Sequence, residues 1–297
     1  MEKNLYIDAS HPNETRIVLK SDYSIEEYEF EDKNNLNFKN NIYLATISRV
    51  EPSLQAAFVH FGRDRHGFLA FNDIQSDYYQ LPSEDKEKIR IAEEKIREEL
   101  KEKTINANQE NLQPEESLEN KGEKNDDSEN QIEKENKKQE YREKVKSSFG
   151  IKRYRIQEVI KPGQVILIQV IKEERGQKGA ALTTFISLAG KYIVLMPNTP
   201  KGGGISRKIF NSSDRQKIRS ILNEIEIPKS MGVIIRTAGA NKTKNEIEKD
   251  FKNTLKTWEE IKEKALDSNA PSLVYEEGDI IKRTLRDTYD NDTKNVY

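Results

Sequence analysis

The stretch RVEPSLQAAFVHFGRDRHGFLAF, residues 49–71, sets four phenylalanines and two histidines in an otherwise polar chain. Its two apolar runs flank the turn-like segment Gly62-Arg63-Asp64-Arg65-His66-Gly67. Successive side chains of a strand point to opposite faces. With residues 56–61 as a strand, Phe58 and His60 share one face, and Ala57, Val59 and Phe61 share the other. In the return strand Phe68 and Ala70 oppose Leu69 and Phe71. Each strand then carries aromatic rings on both faces, one of which can build a core. Two readings of the other face stand: all four rings fill a small barrel, or Phe58, His60 and Phe68 form a platform on which unpaired bases stack. The second is a sequence-tolerant way to hold single-stranded nucleic acid, with cations tracking the phosphates. Arg49, Arg63, Arg65, Lys172, Arg175 and Lys178 lie in neighbouring strands or turns and can supply those cations.

Working outward, NIYLATISRV at residues 41–50 is a strand, and QVILIQVIKEE and AALTTFISL, joined by the turn RGQKG, are two more. Strands at 41–50, 56–61, 67–71, 164–174 and 180–188 are the expected content of an OB-fold barrel. Residues 5–31 add short strands around the breaker HPNE. Between 83 and 147 the chain has no Phe or Trp and is dominated by Lys, Glu, Asn and Gln. This segment reads as a solvated insertion, helical up to about Leu100, with a docking arm for RNA or protein as the alternative.

Beyond the barrel strands, Ser212 or Ser213 caps a helix with apolar residues at Ile218, Ile221, Leu222 and Ile225. Thr243 and Glu246 form a capping box. The helix they open carries Ile247, Phe251, Leu255, Trp258 and Ile261 on one stripe, with Trp258 anchoring the core. DIIKRTLRD reads as a further helix, and a new strand begins at NVY.

The 297 residues suffice for two or three compact units. Fifty basic residues stand against 52 acidic ones, so any polyanion site must come from local clustering. With no cysteine, disulfides and thiolate metal sites are excluded within these residues. No apolar run is long enough for a transmembrane segment, and the N-terminal residues lack the apolar region of a signal peptide, as expected of a soluble intracellular protein.

Local chemistry is sparse elsewhere. KGGGISRK, residues 201–208, can offer backbone N–H groups to phosphate beside Lys201, Arg207 and Lys208, or serve as a flexible turn. It lacks the Walker spacing, which disfavours a nucleotide-dependent enzyme. Arg236-Thr237, at the end of the strand GVIIRTAG, pairs a guanidinium with a hydroxyl in a manner suited to a terminal phosphate; an ordinary surface arginine is the alternative. His11, His60 and His66 have no matching Ser or Asp constellation. Asp287, Asp290 and Asp292 are expected to be solvated rather than to ligate Mg²⁺.

In order and spacing, the runs NIYLATISRVEPSLQAAFVHFG, RHGFL, KEERGQKGAALTTFISLAGKYIVLMPN, GGISR and IIRTAG resemble the N-terminal part of the ribonuclease E/G endoribonucleases. The resemblance implies an α+β chain. Its parts are a five-stranded OB-fold barrel at 39–82 and 148–185, interrupted by the charged insertion 83–147, and an α/β 5′-sensor domain at 186–280. A ribonuclease-H-like scaffold would contribute residues 1–38 and a remaining part that starts at 281–297 and is cut short. The resemblance puts single-stranded RNA on Phe58, Phe61, Phe68 and Lys178, with Arg207 of GGISR beside them, and a 5′-monophosphate on Gly190, Val194, Arg236 and Thr237.

The family's catalytic aspartates, which hold Mg²⁺ for water attack on a phosphodiester, belong to a downstream domain, as does a cysteine pair sharing Zn²⁺ between subunits. No catalytic residue, metal ligand or cofactor is therefore expected within 1–297, and Asp287, Asp290 and Asp292 receive no such role. The resemblance further implies homo-oligomers, RNA-decay protein partners, processing of ribosomal and transfer RNA precursors, messenger RNA decay, and a cytoplasmic location with peripheral attachment to the inner membrane. Two readings remain: the RNA-binding portion of an endoribonuclease, or a stand-alone non-catalytic RNA-binding fragment.

Overall fold

The computed structural model describes residues 3–32, 38–83, 85–87, 91, 154–173, 178–199, 204–228, 230–289 and 292–297. Nearly all of the charged insertion, with its expected helix, lies outside them.

Five strands close into a barrel: β4 (Ile42–Glu51), β5 (Ala56–His60), β6 (Gly67–Ala70), β7 (Val165–Lys172) and β8 (Ala181–Thr183). They follow three earlier strands, β1 (Lys3–Asp8), β2 (Glu14–Ser21) and β3 (Ile25–Asp32). The order around the ring is β4-β5-β6-β8-β7, and antiparallel pairing of β7 with β4 completes it. This is the closed five-stranded barrel expected of an OB-fold, within a mixed α+β chain. Alternation fills its interior with Tyr43, Ala45, Ile47, Ala57, Val59, Phe61, Leu69, Ile166, Ile168 and Leu182, all buried. The four-residue helix α1 (Ile156–Val159) plugs one end with Ile156 and Val159.

Closure depends on one close approach. β6 and β8 pair in parallel, and a Cβ on Gly67 would lie 2.3 Å from Leu182 Cδ1. A Cβ on Gly179 would sit 2.1 Å from the backbone carbonyl oxygen of His66. Larger residues at either position would push the two strands apart.

A second sheet has the order β11-β12-β10-β9, with β9 (Leu188–Ala189), β10 (Ile193–Met196), β11 (Gly204–Ile205) and β12 (Gly232–Ile235). Two helices, α2 (Ser212–Glu224) and α3 (Lys244–Asp267), share its hydrophobic core. Asn211, rather than Ser212 or Ser213, caps α2: its side chain accepts the Ser213 N–H, because a cap must stand one residue ahead of the helical turn. The capping box of Thr243 and Glu246 opens α3 as expected. Its buried stripe is Ile247, Phe251, Thr254, Trp258 and Ile261, with the expected Leu255 partly buried against the same core. Trp258 packs in this core.

β13 (Ser272–Tyr275) adds to the outer edge of β4. The helix α4 (Ile280–Asp287) then crosses the third sheet, ordered β14-β1-β2-β3, and β14 (Thr293–Val296) pairs in parallel with β1. Leu5, Ile17, Leu19 and Ile280 form a small core there. Glu31 of β3 tethers the helix by accepting the Ile280 N–H at 3.1 Å and pairing with Arg283 at 3.3 Å. Among the described residues no helix is long and apolar enough to cross a membrane.

The tight seam between β6 and β8 sets a measurable cost. Gly179→Ala should lower stability to urea by about 1–3 kcal/mol, the usual range for overpacking a closed core. A midpoint unchanged from the parent protein would show that the seam has slack.

Candidate nucleic-acid interface

On the barrel's outer face, Phe58 of β5 pairs directly across the strands with Phe68 of β6. Their ring centroids lie 6.1 Å apart at 75°, an edge-to-face contact. Both rings are half-buried: they are bedded in the surface without being sealed inside. Arg49 of β4 is the next residue in this row, in register with Phe58, and its guanidinium carbon stands 4.4 Å from the centre of that ring. A second row brings His60 to within 5.7 Å of His66, ring to ring. Arg63 caps Phe38 at 4.2 Å. The face therefore alternates aromatic surface with cations that are held in place by the rings themselves.

Phe61 does not belong to this face. It is 1% exposed and meets Tyr43 edge-on at 5.2 Å inside the barrel. Its strand position gives it the inward direction shared with Ala57 and Val59, so the expected contact with RNA is corrected to a core role. Lys178 is exposed in the loop leading to β8, and Lys172 is exposed at the end of β7. Arg175 and Lys201 lie outside the described residues.

A second cluster forms where β10 and β12 run antiparallel, with Val194 opposite Ile234 and Ile193 opposite Ile235. A tight turn at Gly190–Ile193 brings the chain into β10: the Gly190 N–H donates to the Ile193 carbonyl at 2.9 Å. Asp250 of α3 holds that turn. Its carboxylate accepts the backbone N–H groups of Lys191, Tyr192 and Ile193 at 3.2, 2.8 and 3.1 Å. A Cβ on Gly190 would fall 2.6 Å from Asp250 Oδ2, so this carboxylate demands glycine there.

Arg236 follows β12 and reaches back over the turn. Its Nη1 donates to the Gly190 carbonyl at 2.7 Å and to Asp287 Oδ1 at 2.6 Å. Thr237 is exposed, and among the described residues nothing hydrogen-bonds its hydroxyl. Val194 is half-buried on the neighbouring strand. Parallel pairing of Ile205 with Ile235, extended by the Ser206 N–H to the Ile235 carbonyl, brings exposed Arg207 to the same sheet end as Arg236. Tyr192 adds a ring flanked by two ammonium groups, Lys191 at 5.8 Å and Lys242 at 5.2 Å.

Asp287 is a second correction. Expected to be solvated, it instead receives Arg236 and a two-pronged contact from Arg286, Nε to Oδ1 at 2.9 Å and Nη2 to Oδ2 at 2.8 Å. Burial works to raise its pKa, and the hydrogen bonds from Arg286 and Arg236 outweigh burial, holding it below an aspartate's ordinary 3.8. Asp290 lies outside the described residues. Among them, no group of three or more His, Cys, Asp or Glu side chains is placed to hold a metal ion. A surface groove of about 450 Å³ along α3, lined by Asn245, Glu248, Lys249, Lys252 and Asn253, includes none of the residues of either cluster.

Comparison with known proteins places this geometry in context. Residues 187–297 match the model of the Ribonuclease E/G family. The chain is 35% identical over 285 residues to ribonuclease E of Escherichia coli (strain K12), covering 96% of this chain and 21% of that protein. It is 33% identical over 285 residues to ribonuclease E of Haemophilus influenzae, covering 23% of that protein. It is 31% identical over 294 residues to a putative ribonuclease E of Buchnera aphidicola subsp. Baizongia pistaciae, covering 99% of this chain and 56% of that protein. It spans about a fifth of the length of the first two relatives.

The lowered pKa of Asp287 fixes the sign of a pH effect. A depressed carboxylate stabilises the fold above its unfolded pKa, and that contribution is lost as pH falls through the folded value. Thermal melts should therefore show Asp287→Asn less stable than the parent at pH 6, with the gap closing below about pH 4, where the unfolded carboxylate begins to titrate. A gap constant from pH 6 to pH 3 would remove Asp287 from the acid response.

Proposed function

The chain belongs to the ribonuclease E/G family, and from that premise we propose that it binds single-stranded RNA and senses a 5′-monophosphate. In this reading it is the N-terminal part of a Mg²⁺-dependent endoribonuclease that acts on ribosomal and transfer RNA precursors and messenger RNA in the cytoplasm. The observation that carries the proposal is the outward pairing of Phe58 with Phe68 beside Arg49, on the far side of the strands from buried Phe61.

The work of binding divides between the two clusters. Phe58 and Phe68 offer apolar surface to unpaired bases, and stacking of this kind is worth about 1–3 kcal/mol per base. A duplex keeps its bases inside the helix, so rings bedded in a sheet favour single strands. Arg49 can turn part of its guanidinium to a phosphate while staying over its ring, and the exposed Lys172 and Lys178 extend the cationic track.

At the second cluster, Arg236 uses only Nη1 for the hydrogen bonds to Gly190 and Asp287. Its remaining N–H groups and the Thr237 hydroxyl are the donors proposed for the oxygens of a terminal phosphate. A terminal monophosphate has three such oxygens and nearly two charges at neutral pH, whereas a 5′-hydroxyl has none of these. The Gly190 carbonyl serves to orient the arginine, since an acceptor cannot itself hold phosphate. No catalytic step is assigned to these residues; the metal-dependent chemistry proposed for the whole enzyme is not routed through them.

Fluorescence anisotropy with short 5′-monophosphate and 5′-hydroxyl single-stranded RNAs tests both halves. Phe58→Ala and Phe68→Ala should each weaken binding of both RNAs by about 1–3 kcal/mol. Arg236→Ala should remove the preference for the monophosphate and leave 5′-hydroxyl binding near the parent value. Folded phenylalanine variants with parental affinity would refute the platform, and a retained preference in Arg236→Ala would refute the sensor.

A further inference from the structure

We propose that Asp287 is the positioning residue of the sensor arginine, supplied to the 5′-phosphate site from outside the sheet that carries Arg236. The inference rests on the sensor reading above and deepens it.

An arginine side chain loses on the order of 2 kcal/mol of rotamer entropy when it is fixed, so one that must receive a ligand gains from being held beforehand. Arg236 is held at one nitrogen by two acceptors, the Gly190 carbonyl at 2.7 Å and Asp287 Oδ1 at 2.6 Å. Two acceptors on Nη1 define the plane of the guanidinium, and its Nε and Nη2 remain for another partner.

Asp287 can do this because it is itself immobilised, and from a different direction. Arg286 grips both of its oxygens. Arg286 Nη1 in turn reaches Glu277 Oε1 at 3.1 Å, and these side chains are only 20% and 10% exposed. The Glu277 N–H donates to Asn41 Oδ1 at 3.0 Å, and Asn40 Nδ2 donates to the Glu277 carboxylate, so the relay ends at the entrance to barrel strand β4. The helix carrying Asp287 is fixed to β3 through Glu31. Arg236 is therefore aimed by a carboxylate that is anchored to the barrel and to the third sheet, while Arg286 Nη1 also reaches the Ala189 carbonyl of β9 at 3.5 Å.

The relay alternates Arg236, Asp287, Arg286 and Glu277. Its formal charges cancel, so this part of the site adds no net attraction for phosphate groups in general. Discrimination must then come from where the free donors point, which is what Asp287 sets.

The test compares Asp287→Ala, which removes the acceptor, with Asp287→Asn, which keeps an oxygen for Arg236 but no charge. Affinity ratios for 5′-monophosphate over 5′-hydroxyl RNA are measured on chains whose thermal melts confirm folding. Asp287→Ala should reduce the ratio about tenfold, the scale of one charge-assisted hydrogen bond. Asp287→Asn should restore most of it, and 5′-hydroxyl binding should stay at the parental value in both. A parental ratio in Asp287→Ala would overturn the proposal. So would tighter monophosphate binding by both variants, which is the signature of a carboxylate that blocks the site. If Asp287→Ala does not fold, Arg286→Lys decides: lysine cannot grip both carboxylate oxygens, so the ratio should fall, and an unchanged ratio overturns the proposal. Arg236→Ala separates the two levels. If it keeps the preference, the sensor reading itself fails; if it loses the preference while Asp287→Ala does not, only the positioning role fails.

Discussion

A strand in a closed barrel offers each side chain two directions, inward to the core or outward to the surface. In β5 and the residue after it that constraint sends Ala57, Val59 and Phe61 to the interior and Phe58 and His60 out. Closure of β7 onto β4 makes the choice irreversible, because a one-residue slip would expose Phe61 and bury a histidine. The outward row Arg49, Phe58, Phe68 exists because three strands hold their register, and the register holds because the interior is full. Surface chemistry and core packing are here two consequences of one pattern.

The second cluster follows a different logic, in which carboxylates organise the backbone and a cation. Asp250 gathers three backbone N–H groups and dictates glycine at position 190. The Gly190 carbonyl then receives Arg236, and Asp287 receives it from the other side. Elements far apart in sequence, the Gly190 turn, the end of β12 and the end of α4, meet at one guanidinium, and α3 holds the turn. A site assembled this way couples its ligand to the packing of every element that contributes to it.

Much of the fold was legible in the sequence because hydrophobic alternation is a local signal. The five barrel strands, the capping box at Thr243 and the Trp258 stripe all follow from residues spaced by two or by three to four. The direction of Phe61 could also have been read that way, since the alternation that turns Phe58 outward turns Phe61 inward; only the grouping of motif residues put it with the RNA contacts. The roles of Asp250 and Asp287 were not legible. Nothing local marks a carboxylate whose partners lie 57 to 59 or 51 residues away, and a run of acidic residues near the end of the chain reads as solvated. The Arg236-Thr237 pair was visible as chemistry, and the acceptors that orient it needed the tertiary contacts.

The central claim is that unpaired bases stack on the outward rings of this barrel. The most direct measurement follows the ring proton resonances of Phe58, Phe68 and Phe61 by NMR as a short single-stranded RNA is titrated into the protein. Stacked bases shield a ring lying against them, so Phe58 and Phe68 should shift together with added RNA while buried Phe61 stays nearly still. Rings of Phe58 and Phe68 that move no more than Phe61 at saturating RNA would contradict the account.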